Sequence, residues 1–149
     1  MIKRVFRKVL FLIFTVANKI LKLFKIDNFF QGINDFIQEK AYINLNLNNK
    51  KIKFFVPSKL SLYRVSTILD KEPETIDWIK KFEKNSDNEI IFWDIGANVG
   101  IYSIFAACYH EKIKIISFEA STSNLRCLSR NISINNYNQK VSICQFPLT

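Results

Sequence analysis

"FWDIGANVG", residues 92–100, holds two of the three glycines in a chain of 149 residues. It follows the apolar run "IIFW" (90–93), which reads as a strand without polar alternation, covered on both faces as parallel sheets require. Gly96 lets the chain turn in a conformation that a side chain would forbid. Gly100 lets the next helix, or a ligand, approach the backbone closely. The helix read from about 99 to 109 offers unpaired N–H groups and a partial positive charge at its start. Ile101, Ile104, Phe105 and Cys108 form its apolar side, and Asp94 stands at the strand end beside its positive terminus.

Working outward, the rhythm repeats. "KIISF" (114–118) reads as a second strand, closed by Glu119, and "STSNLRCLSRNISIN" (121–135) as a helix with Ser/Thr caps and Leu125, Leu128 and Ile132 on one face. "KVSICQF" (140–146) is a third strand. Strand–helix–strand–helix–strand implies right-handed crossovers and a parallel sheet. Upstream, "KIKFFVPS" (51–58) reads as a strand ending at Pro57. "EPETIDWIKKFEK" (72–84) reads as a helix, with Pro73 and acids at its start, lysines at its end, and Ile76, Ile79 and Phe82 inward. Residues 85–89 form a polar turn. The Asn-rich stretch 27–48 is read as a short helix and a connection.

Charge separates the N-terminus from the rest. Residues 1–26 hold seven of the 22 bases and no acid, while the remaining 15 bases face 13 acids. The body is nearly neutral, which argues against a nucleic-acid partner, since that needs Lys and Arg clustered on a folded face. The first 26 residues read as a basic amphipathic helix. Arg4, Lys8, Thr15, Asn18, Lys22 and Lys25 share one stripe, with Phe11 the exception, opposite Val5, Val9, Ile13, Val16, Ile20 and Phe24. Asn18, Lys19 and Lys22 break the apolar run too early for a membrane span. Such a helix is expected to lie on an anionic bilayer, at the inner membrane surface, or to pack on the protein's own body. A secretory leader fits less well, because the sequence beyond residue 17 stays basic and helical. Cys108, Cys127 and Cys144 form no C-x-x-C pair, and one histidine completes the set. No metal site is expected, and three thiols suit a reducing cytosol.

In a parallel sheet, ligands bind beyond the carboxyl ends of the strands. Glu119 lies 25 residues after Asp94, placed to take both hydroxyls of a ribose. Dinucleotide enzymes want G-x-G-x-x-G, whereas this loop reads D-x-G-x-x-x-G with Asn98 in the middle-glycine slot. A pyrophosphate has less room there, and the strand-end acid would repel it. Asp94 suits a ligand with a positive amino group and no phosphate. S-adenosylmethionine meets both demands. Against this stands the plain reading that the glycines only make a tight turn.

"FWDIGANVGIYSIFAA", "ISFEAS" and "NLRCLSRNISINN" together resemble the FkbM-type S-adenosylmethionine-dependent methyltransferases, a branch of the class I methyltransferases. The resemblance covers roughly residues 60–149, including the upstream "KEPETIDWI". It implies a Rossmann-like class I sheet, incomplete here at its first three strands and preceded by an N-terminal helical segment. It also implies that Asp94, Gly96, Ala97, Asn98 and Gly100 line the methionine and ribose side. Glu119 would hold the ribose, with Ala120 and Ser121 flanking the adenosine. Ala120 replaces the usual proline of that motif, which loosens the loop and removes no polar contact. Tyr102 and Ser103 match motif positions, as core residues or as ligand contacts. No general base is identified, and His110 reads as a surface residue near a helix end.

The implied organisation is a helix over 1–26, a strand and helix extension over 27–84, and the first half of the cofactor domain over 85–149. The fourth strand of the implied sheet would lie beyond residue 149, so the chain is expected to be the N-terminal part of a longer enzyme, or a truncated frame. Alone, it should bind S-adenosylmethionine weakly and not turn over. The expected activity is O-methylation of a sugar, glycolipid or secondary metabolite. An inactive remnant serving as a membrane-surface module is the alternative, and an NAD-dependent oxidoreductase is disfavoured by the missing glycine.

Overall fold

The computed structural model describes residues 2–24, 29–82 and 89–146. The chain divides into two compact units, Met1–Lys40 and Ala41–Thr149. The first contains two helices, α1 (Ile2–Leu23) and α2 (Phe29–Lys40). Phe14 of α1 meets the edge of Phe30 of α2 with ring centroids 6.1 Å apart.

The second unit opens with a hairpin that the sequence reading did not separate. Residues 27–48 are not only helix and connection: they contain β1 (Tyr42–Leu47), which pairs antiparallel with β2 (Lys50–Phe55). Asn48 and Asn49 both have positive φ (48° and 59°), as the two-residue turn matching strand twist demands. The strand signal lay in the alternation of Ile43, Leu45 and Leu47, masked by asparagines that strands usually avoid. β2 stops two residues before Pro57.

Three short helices follow: α3 (Lys59–Ser66), α4 (Ile68–Lys71) and α5 (Pro73–Lys80). Ser58 caps α3 through a reciprocal box with Ser61, satisfying N–H groups left free at a helix start. The helix expected over 72–84 is thus shorter, and its residues 83–84, with 85–88 of the expected turn, lie outside the described residues. Ile76 and Ile79 are buried as expected.

The sheet then forms from β3 (Ile90–Ile95), β4 (Ile113–Phe118) and β5 (Val141–Cys144), in the order β3-β4-β5 with both pairings parallel. The crossovers are α6 (Ile101–Tyr109) and α7 (Thr122–Ile134). Phe92, Ile115 and Val141 stand in register on one face and are buried, as are Ile104 and Phe105 of α6 and Leu128 and Ile132 of α7. This is the expected α/β architecture.

One expectation about β3 fails. The run 90–93 reads as covered on both faces, yet Ile91 and Trp93 are 68% and 56% exposed, as is Ile95 beyond them at 64%. Both crossover helices serve the opposite face, so side-chain alternation leaves these three outward. Among the described residues, β3 pairs only with β4.

Side-chain amides attach the hairpin to α7. Phe55 N–H donates to Asn131 Oδ1 (2.6 Å) and Lys53 N–H to Asn135 Oδ1 (3.0 Å), while Asn135 Nδ2 donates to Lys53 O (2.8 Å). Asn131 Nδ2 also donates to Val99 O (2.8 Å). A fully buried amide is tolerated because both its ends are bonded. At the far end of α6, Lys140 Nζ donates to Ala107 O and His110 O, a cation where the helix dipole is negative.

His110 is not the surface residue expected. It is 3% exposed, its Nε2 lies 2.7 Å from Ile79 O, and its ring stacks on Phe82. A half-apolar ring at a helix end is drawn in when one nitrogen finds a carbonyl. It belongs to the core.

Candidate cofactor-binding site

The loop between β3 and α6 has the backbone its glycines foretell. Gly96 (φ 78°), Asn98 (φ 56°) and Gly100 (φ 85°) all lie in the left-handed region, which glycine and asparagine tolerate best. A Cβ on Gly96 would meet nothing within 4 Å, so its need is conformational. At Gly100 a Cβ would stand 2.5 Å from Leu128 Cδ1. The close neighbour there is helix α7.

Backbone bonds join this loop to the end of β4. Gly96 N–H and Ala97 N–H both donate to Phe118 O at 2.9 Å, and Glu119 N–H donates to Cys144 O at 3.0 Å. Glu119 then bridges the two loops. Its Oε2 accepts from Asn98 N–H and its Oε1 from Ser121 N–H, each at 2.8 Å. The carboxylate is half-buried, and each oxygen keeps a second lone pair for another donor. Ala120 and Ser121 are exposed beside it. Ser121 is the N-cap residue of α7, but its hydroxyl pairs with Ser123 Oγ (3.0 Å) rather than with a backbone N–H of the helix.

Asp94 occupies a different place. It is 6% exposed, and its Oδ2 accepts from Ser103 N–H (3.0 Å) and Ser103 Oγ (2.5 Å). Ser103 Oγ lies 2.6 Å from Ser117 Oγ, so a buried polar chain links β3, α6 and β4. Burial pushes the Asp94 carboxyl above its ordinary value; the Ser103 bonds oppose this, and the charge of Glu119 adds to it. Asp94 therefore organises the start of α6 from beneath. The structure brings Gly96, Asn98, Glu119 and Ser121 to one surface, with Ala97 and Asp94 buried behind it and Gly100 packed under Leu128 of α7.

Beside the loop stand Arg64 and Lys71, which carry no sequence mark, and Tyr102, expected as a core residue or a ligand contact. An Arg64 guanidinium N–H from α3 donates to Asn98 Oδ1. Tyr102 Oη donates to Glu72 Oε2 at 2.6 Å. Burial, then the Glu72 contact, raises the Tyr102 phenol well above its usual range, so it stays protonated as a donor. These residues, with Lys71, line a cavity of about 180 Å3 against Gly96, Ala97 and Asn98. The available hint was Glu72, inside the "KEPETIDWI" segment already noted. Arg64 had no such mark, because its role depends on how α3 crosses the loop.

No family model and no curated protein matches the chain. Solved structures do. A SAM-dependent methyltransferase from Agrobacterium tumefaciens matches with a TM-score of 0.53 at 13% identity, over 70% of this chain and 32% of that one. TYW2 of Pyrococcus horikoshii, in complex with MeSAdo, gives 0.45 at 21% identity, over 72% and 36%. A precorrin-6Y C5,15-methyltransferase from Geobacter metallireducens gives 0.43 at 19%, over 50% and 37%. The chain thus spans about a third of each. At such identities only architecture is shared, and the first match carries that conclusion: this chain has the Rossmann-like α/β fold found in a SAM-dependent methyltransferase.

Proposed function

We propose that the chain is the cofactor-binding part of an S-adenosylmethionine-dependent methyltransferase. The observation that carries this reading is Glu119, whose carboxylate spans Asn98 N–H and Ser121 N–H beside the glycine loop, beyond the strand ends. A vicinal diol set over that carboxylate would donate to oxygens already held in place. The absence of a middle glycine in D-x-G-x-x-x-G favours a cofactor without pyrophosphate.

In this reading the amino-acid end of the cofactor enters the cavity lined by Arg64, Lys71, Glu72 and Tyr102. Its carboxylate would face the two cations and its ammonium Glu72. Asp94 acts at one remove, by holding Ser103 and so the first turn of α6. S-adenosylmethionine would supply an activated methyl group, and the chain's own residues would orient it and shield it from water. The acceptor is proposed as an oxygen of a sugar, glycolipid or secondary metabolite, on the strength of the FkbM-like motifs. Three free thiols, Cys108, Cys127 and Cys144, fit a reducing compartment.

The test is an amide NMR titration with S-adenosylhomocysteine, 5′-methylthioadenosine and NAD. The first two should shift the Asn98 and Ser121 signals, and NAD should not. Glu119→Ala should weaken both adenosine ligands about tenfold or more, the scale of a lost charged hydrogen bond. Lys71→Ala should weaken S-adenosylhomocysteine alone, since methylthioadenosine lacks the amino-acid end. Shifts from NAD only would reverse the proposal.

A further inference from the structure

We propose that α1 is a peripheral membrane anchor that lies flat on an anionic lipid bilayer. This helix belongs to the first unit and shares no residue with the cofactor site, so the proposal stands whether or not that reading does. At the helical angle of 100° per residue, Arg4, Arg7, Lys8, Lys19 and Lys22 fall within an arc of about 120°. Thr15 and Asn18 share that arc, and Phe11 is the one apolar residue in it. Opposite it, an arc of about 160° from Leu12 round to Leu10 is wholly apolar, and the position of Lys3 borders its far side. α1 contains no Asp or Glu.

The apolar arc is open. Val5, Phe6, Val9, Ile13, Val16 and Ile20 are between 48% and 63% exposed. An apolar surface of that extent, bordered by one sign of charge, calls for a partner of matching chemistry. A helix seated on a protein core needs an apolar stripe only about 100° wide. An arc of about 160°, flanked on both sides by cations, matches the boundary between acyl chains and anionic headgroups. No described helix is long and apolar enough to cross a membrane, so α1 lies in the interface plane. Its 22 residues extend about 33 Å at the helical rise.

The experiment is flotation of the full chain with vesicles of phosphatidylcholine alone or mixed with phosphatidylglycerol. The chain should float with the mixed vesicles and be released by salt, because screening weakens headgroup attraction. Lys19→Gln with Lys22→Gln should lower partition about thirtyfold, at roughly 1 kcal/mol per cation near the surface. Val9→Asp with Ile13→Asp should abolish it, while Phe11→Lys on the basic arc should preserve or strengthen it. A urea unfolding midpoint equal to that of the parent chain shows that each variant keeps its body folded. Equal partition into both vesicle types would overturn the proposal. So would flotation unaffected by the double aspartate change. Failure to float, with a concentration-dependent dimer broken by Ile13→Asp, would assign the face to a second copy instead.

Discussion

Leu128 and Ile13 are both branched aliphatic residues on amphipathic helices, and they meet opposite surroundings. Leu128 on α7 is fully buried and closes over Gly100, whereas Ile13 on α1 is 58% exposed. In α7 the apolar stripe is narrow, and Asn131 beside it and Asn135 at the C-cap bond to a neighbouring strand. In α1 the apolar arc is wide and the charged residues beside it are cations of one sign. The contrast teaches that amphipathicity alone does not say what a helix covers. The width of the stripe and the chemistry of its border do.

The largest effect should separate the two helices by stability. Leu128→Ala should cost about 3 kcal/mol in urea unfolding, the usual scale for a fully buried leucine. Gly100→Ala should cost about 2 kcal/mol, through its positive φ and the clash with Leu128. Because the first change makes room for the second, the double variant should lose less than the sum. Full additivity would mean that the close approach is not what fixes glycine here.

A smaller effect tests whether polar groups in the body behave as buried ones. Burial raises the Asp94 carboxyl, so the folded chain holds that proton more tightly than the unfolded chain. The stability it contributes is full below the unfolded carboxyl value and is lost as pH rises through the raised one. Asp94→Asn does not titrate, so its unfolding midpoint should improve relative to the parent as pH rises from the unfolded carboxyl value towards neutrality. A flat difference across that range would show that Asp94 titrates alike in both states. The smallest effect closes the comparison: Ile13→Ser should change the unfolding midpoint by no more than about 0.5 kcal/mol, as for an exposed position. A loss near that of Leu128→Ala would show that α1 is covered by protein after all.

Much of the sheet was legible because each strand is a short apolar run ending at a turn or an acid. The loop was legible because glycine is scarce in this chain and both of its glycines adopt the left-handed backbone. β1 was harder, since Asn44 and Asn46 on its outer side dilute the strand pattern. The short helices α3 and α4 are obscured for another reason: Val65 and Ile68 are buried but Leu60, Leu62, Tyr63 and Leu69 are exposed, so apolar residues fall on both sides and mark no single inward face. The exposure of Ile91, Trp93 and Ile95 could not be read either, because an apolar run records affinity for cover and not its presence. Of the site, Glu119 and the glycines were visible from spacing. Arg64 and Lys71 were not, because a cavity wall contributed by another element leaves no local motif.

Asn131 of α7 and Asn135 at its C-cap also act as a ruler. They are four residues apart on a helix, about 6 Å along its axis. The residues they hold, Lys53 and Phe55, are two apart on a strand, about 6.8 Å. The near-match lets both amides reach their partners in one alignment only. Sliding β2 by a single residue would turn its outward N–H groups away from both amides at once. The buried Leu47, Ile52 and Phe54 and the Asn48–Asn49 turn already oppose such a slip, and α7 adds a polar gauge along the free edge of β2.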